Sequence, residues 1–155
     1  MQDQSYAYAY HDAPPTQYPS DGWKRLEIHE FSELDPILRR LNLEMKVLGY
    51  PRKDTFAVGL VLLEAVRNAI RHGHRGDETL TIEINYHLIR DEVLIEVTDQ
   101  GPGFDPNVVP NPLAEGQEEG RLRHWGLLLM RVYMTWVRFN PRGNRVTLCK
   151  RRSAE

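Results

Sequence analysis

The chain has 155 residues, 41% hydrophobic and 27% charged, with a formal net charge of -2. That length suits one domain with a core of its own, and twenty basic against twenty-two acidic residues leave no global field to draw it onto nucleic acid or anionic lipid. The single cysteine, Cys149, cannot close an internal disulfide, which points to a reducing compartment. The longest uncharged apolar run, Ala57 to Leu63, is far short of the roughly 20 residues of a membrane span. The N-terminus lacks the basic flank and apolar stretch of a signal peptide. A cytoplasmic, single-domain protein with no nucleic-acid or membrane partner is the expectation.

In chain order, residues 1–21 are poor in aliphatics, and Tyr6, Tyr8, Tyr10 and Tyr18 are interspersed with Pro14, Pro15 and Pro19. Such a segment cannot bury enough surface to offset its ordering entropy and reads as a disordered tail, leaving a domain over 22–152. Trp23 to His29 alternates as a strand does. Ser32 stands as an N-cap before a helical stretch whose apolar residues include Ile37, Leu38, Leu41, Leu43 and Val47, ended at Gly49–Pro51. Asp54 or Thr55 caps a second helix that runs to about His72 and stops at Gly73 and Gly76. Two strands follow, with Leu80, Ile82, Ile84, Tyr86 and Leu88 on one face of the first and Val93, Ile95 and Val97 on one face of the second. Arg90-Asp91 makes the turn between them. A proline- and glycine-rich loop extends from Gly101 to about His124, and a helix from near Trp125 to near Trp136. Strands at Val137–Phe139 and Arg145–Lys150 flank a turn at 140–144. Paired strands with helices in separate runs argue for a two-layer α+β sandwich.

Three features carry chemistry. From Phe56 through Val66 the second helix is apolar or small on every side except at Glu64, so that carboxylate needs a partner. Asn68 lies one turn on along the same face, with Arg71 and His72 a further turn away. A buried Glu-Asn or Glu-Arg hydrogen bond that only fixes packing accounts equally well for this pattern. The second feature is Asp99-Gln100-Gly101-Pro102-Gly103, directly after a strand. An acid there accepts a hydrogen bond from a ligand amine and the glycines admit a flat ring, although a plain turn has the same composition. The third is Gly120 to Met130, a glycine-bearing loop entering a helix. The N-terminus of such a helix suits phosphate, with Arg121, Arg123 and Arg131 nearby.

Glu64-x-x-x-Asn68-Ala69-x-x-His72-Gly73, Asp99-x-Gly101-x-Gly103 and Gly126-Leu127-x-Leu129 occur in that order. Together they resemble the N, G1 and G2 boxes of the GHKL ATPases, and the small anti-sigma factor and serine-protein kinase branch most of all. The resemblance covers about Trp23 to Arg152. It implies the Bergerat fold, a mixed and mainly antiparallel sheet with helices on one face. It implies ATP and magnesium as cofactors, Asp99 on the adenine amine, Gly101 and Gly103 in the loop bordering the base, and Thr147 beside it. Asn68 would hold the magnesium ion, Glu64 would be the catalytic base, and Gly126 and Leu127 would offer backbone N–H groups to the phosphates, with Arg71 near them. The implied partners are a sigma factor, a STAS-type antagonist phosphorylated on serine, and a second copy of the chain in a homodimer. The G2 box departs from the family's Gly-x-Gly-Leu, with His124 and Trp125 where a glycine step is usual. That departure favours the alternative of a catalytically weak, nucleotide-dependent binding module. The ATP domain of a sensor kinase system is the third reading.

Overall fold

The computed structural model describes residues 17–103, 105 and 118–154, the side chains of 118–125 excepted. Strand β1 (Lys24–Ile28) leads through a short 3-10 turn into α1 (Leu34–Val47) and α2 (Arg52–Asn68), and α2 continues into a π-helical turn, Ala69–His74. A hairpin of β2 (Ile82–Leu88) and β3 (Glu92–Thr98) follows, then α3 (Glu118–Tyr133), β4 (Trp136–Phe139) and β5 (Arg145–Arg151). The strands form one sheet in the order β1-β2-β3-β5-β4. Every neighbouring pair is antiparallel, so the mainly antiparallel sheet that the resemblance implies is antiparallel throughout.

Local sequence explains most of these elements. Leu34, Leu41 and Met45 recur at helical spacing on α1 and are buried, whereas Leu43 and Val47 are 64% and 79% exposed. Ser32 does not cap α1. It sits inside the 3-10 turn, whose capping box is formed by Glu30 and Glu33. The N-cap position of α2 is Pro51, not Asp54 or Thr55. Asp54 is 1% exposed and accepts hydrogen bonds from the Ser153 backbone N–H and hydroxyl, both at 2.7 Å. This tie fastens the C-terminal end of the chain to α2. The π-turn closes where Arg75 takes φ 54 and Gly76 φ 78, a left-handed pair that no helix can continue.

The core fills the space between the helices and one sheet face. Strand alternation delivers Ile82, Ile84, Tyr86, Val93, Ile95, Val97, Val146 and Leu148 to it, against Val58, Val61, Leu62 and Val66 of α2. Fully burying each such side chain is worth about 1.5–3 kcal/mol. The opposite face has a smaller cluster of Leu94, Trp136 and Cys149, packed by Tyr18 and Trp23. Tyr18 stacks on Trp136 with ring centroids 5.9 Å apart, so packing begins ahead of residue 22. Residues 1–16, read from the sequence as part of a disordered tail, lie outside the described residues. No helix among the described residues is long and apolar enough to cross a membrane.

Candidate functional site

At the seam of α2 and α3, Glu64 and Asn68 face Gly126. A Cβ placed on Gly126 would come 3.1 Å from Glu64 Oε2 and 3.2 Å from Asn68 Nδ2, so only glycine lets α3 pass this close without moving them. Helix spacing puts the two side chains together, but they do not bond to each other. Glu64 Oε1 instead accepts from Arg67 Nη1 at 2.7 Å. The Asn68 side chain has no hydrogen-bond partner among the described residues. Arg67 was not singled out in the sequence, although an i,i+3 Glu–Arg spacing on one helix is a recognisable signal. Helix α2 is also not apolar and buried all round, since Phe56 is 61% exposed.

At the end of β3 the chain turns under the π-turn. A Cβ on Gly73 would sit 2.2 Å from the Asp99 carboxyl, and one on Gly101 only 2.4 Å from Gly73 Cα. Gly103 takes φ 76 and lies against the carbonyl of Arg142. In this structure these glycines therefore admit protein backbone. Asp99 Oδ1 accepts from the Gly101 N–H at 2.8 Å, which folds the loop back on the acid. Burial pushes the Asp99 carboxyl above the ordinary aspartate value, opposed by that N–H and by the charge of Arg142. The turn between β4 and β5 holds the loop from the other side. Asn144 Nδ2 donates to the Asp99 carbonyl at 3.0 Å, and Arg142 Nη2 to the Gly101 carbonyl at 3.1 Å. Asn140 Nδ2 in turn donates to Asn144 Oδ1 at 2.8 Å. Residues 140–144 read in the sequence only as a turn; nothing local announces their contact with a loop some 40 residues earlier.

Several site residues stand differently from the expectation. Thr147 is buried but pairs in register with Glu96, on the face opposite Val97, Val146 and the helices. Side chains directly opposed in an antiparallel pair share a face, so Thr147 is not brought to Asp99. Gly126 and Leu127 lie well inside α3, which starts at Glu118. There an N–H points to the carbonyl four residues back, so neither is a free donor at a helix N-terminus. Leu127 is part of the core. Arg71 is exposed on the π-turn, and no hydrogen bond or ion pair ties it to Glu64, Asn68 or Asp99 among the described residues. The backbone of His124 and Trp125 is helical, and the loop over 106–117 lies outside the described residues.

Asn68 and Gly73 belong to one continuous helical run, so the Glu64–Asn68 cluster and the Asp99 cluster are about 7 Å apart along it. One end presents a half-buried acid suited to a ligand amine. The other presents a carboxylate and an amide oxygen, hard donors suited to a hard cation. Among the described residues no group of three or more His, Cys, Asp or Glu could hold a metal by itself. Asn68 fits magnesium of the kind that takes one or two protein oxygens and completes its shell with phosphate and water. An antiparallel α+β sandwich with this helix–strand-end pairing is the architecture of a Bergerat-type ATPase domain. The chain belongs to the histidine kinase-like ATPase domain family, which it matches over residues 31–150. It is 29% identical over 84 residues to the serine-protein kinase RsbW of Listeria innocua, covering 51% of this chain and 54% of that protein. It is also 29% identical over 99 residues to the RsbW of Bacillus licheniformis, covering 59% and 60%. The chain thus spans little more than half the length of these relatives. It is 26% identical over 117 residues to an anti-sigma F factor of Clostridium perfringens, covering 74% of each.

Proposed function

We propose that the chain is an ATP-binding serine-protein kinase of the anti-sigma type, acting in the cytoplasm. It holds a sigma factor and phosphorylates a STAS-type antagonist on serine. The observation that carries this reading is the convergence of Glu64 Oε2 and the Asn68 amide on Gly126, at one end of a helical run whose other end covers Asp99. The family match and the names of the relatives support it. Asp99 accepts from the adenine amine, beside the loop of Gly101 and Gly103. Asn68 is the residue that would hold magnesium, which supplies neutralisation of phosphate charge when bound. Arg71, exposed beside Asn68, supplies a further cation for phosphate.

In the transfer step, Glu64 Oε2 takes the proton of the serine hydroxyl as its oxygen bonds to the γ-phosphorus. The bond from that phosphorus to the β–γ bridging oxygen breaks, and ADP leaves with the electron pair. Glu64 then passes the proton to solvent. General-base help of this kind is worth roughly 10²–10⁴ in rate. The test is transfer of label from γ-labelled ATP to serine of a purified STAS-domain protein. Wild type transfers, Glu64→Gln binds ATP but does not, and Asp99→Ala binds poorly. Full transfer by Glu64→Gln would overturn the assignment of the base. A second reading has one specific observation in its favour, the placement of Gly126 inside α3 away from a helix N-terminus. In that reading the chain binds nucleotide and a partner without transfer, and wild type would hold the partner in an ATP-dependent way with no label on serine.

A further inference from the structure

The Glu64 carboxylate has two oxygens in different surroundings. Oε1 is 2.7 Å from Arg67 Nη1, with the Glu64 side chain only 15% exposed and that of Arg67 46% exposed. Oε2 faces Gly126, on the side where Asn68 lies. The guanidinium is not a loose surface cation, because its central carbon sits 5.8 Å from the centroid of the Phe31 ring. Phe31 belongs to the 3-10 turn after β1, so Arg67 is anchored on an element outside its own helix. The terminal torsion of a glutamate is broad and nearly two-fold, so an unpaired carboxylate would present its oxygens interchangeably. A guanidinium held at one oxygen removes that freedom, and Arg provides this as a planar, directional donor.

We propose that Arg67 is a positioning residue for the reaction: seated on Phe31 and paired with Glu64 Oε1, it turns Oε2 toward Asn68 and Gly126, where the hydroxyl proton is accepted. The inference rests on Glu64 as the proton acceptor. Arg67 does not touch the reacting atoms and adds nothing to nucleotide binding. Its loss leaves the carboxylate in place but free to rotate, and the productive orientation becomes one of several. An i,i+3 ion pair that served only the helix would leave turnover unaltered, and exposed pairs of that kind contribute little to stability.

The experiment measures phosphate release from magnesium-ATP, with water as the acceptor, in wild type, Arg67→Met, Arg67→Lys, Glu64→Gln and the double variant Glu64→Gln/Arg67→Met. Calorimetry gives ATP affinity and thermal unfolding gives fold integrity for each. Arg67→Met is expected to lower kcat about tenfold while ATP affinity and KM stay within about twofold. Arg67→Lys is expected to recover part of the loss, and the double variant to be no slower than Glu64→Gln alone. If Arg67→Met turns over as wild type, or loses ATP affinity in step with kcat, Arg67 does not position Glu64. If Glu64→Gln keeps full turnover, Glu64 is not the proton acceptor and both readings fall; if wild type binds magnesium-ATP and releases no phosphate, the Arg67 proposal falls, while transfer to serine is decided by its own assay. Loss in Glu64→Gln with an unaffected Arg67→Met overturns the Arg67 proposal alone.

Discussion

Replacing Gly126 by Ala separates the requirements of the helix from those of the site. Within α3, Ala is favoured over Gly by about 1 kcal/mol. Against this, the new Cβ would lie 3.1 Å from Glu64 Oε2 and 3.2 Å from Asn68 Nδ2, where ordinary contact is about 3.5 Å. The neighbours must retreat by about 0.4 Å on that comparison. Both are side-chain ends, but Glu64 is held at its other oxygen by Arg67 and cannot simply swing away. The gain and the cost are of similar size, so unfolding stability should stay within about 1 kcal/mol of wild type. The substitution displaces the two side chains proposed to meet the phosphates, and affinity for magnesium-ATP should fall about tenfold, or 1.4 kcal/mol. Urea unfolding measures the first quantity and calorimetry the second. Adenosine, which lacks phosphate, serves as the control and should bind Gly126→Ala as it binds wild type. Unchanged affinity for magnesium-ATP, or an equal loss for adenosine, would refute the placement of Glu64 and Asn68 at the phosphate end.

Gly101→Ala should be far more damaging than Gly126→Ala, because its Cβ would meet the backbone of Gly73 at 2.4 Å, and backbone cannot rotate out of the way. A loss of about 3 kcal/mol in urea unfolding is expected. Asp99→Ala should weaken adenosine binding by about 1.5–3 kcal/mol. The half-buried Asp99 carboxyl holds its proton more tightly than in the unfolded chain, so its contribution to stability is present below the unfolded pKa and is lost as pH rises through the raised folded one. Adenosine affinity should fall as pH drops through that same raised value, above the ordinary 3.8, and the part owed to Asp99 should be missing in Asp99→Asn titrated in parallel. Glu44 gives the opposite sign. Burial pushes its carboxyl up, but hydrogen bonds from Lys24, Arg40 and Tyr86 together bring it below the ordinary value. Its contribution is present above the unfolded pKa and is lost as pH falls through the lowered one. Glu44→Gln should cost no more than about 1 kcal/mol near neutrality, and the difference from wild type should shrink on acidification in thermal unfolding.

What the amino-acid sequence determined by itself is local in origin. Alternation over Ile82–Leu88 and Glu92–Thr98 marks both strands and the face they bury, because side chains in an extended chain alternate with period two. The i,i+4 spacing of Glu64 and Asn68 marks a shared helix face, and an acid followed by two glycines marks the turn after β3. Tertiary structure alone decided the rest. The face to which Thr147 belongs depends on its register against Glu96, set by pairing between strands about 50 residues apart. Arg67 meets Glu64 by local i,i+3 spacing, but the Phe31 ring 5.8 Å from its guanidinium comes from another element. Asn144 and Arg142 reach the Asp99–Gly103 loop only because β5 lies beside β3 in the sheet. Periodicity and turn chemistry act over a few neighbouring residues, whereas register and close backbone approach are chosen by packing across the whole core.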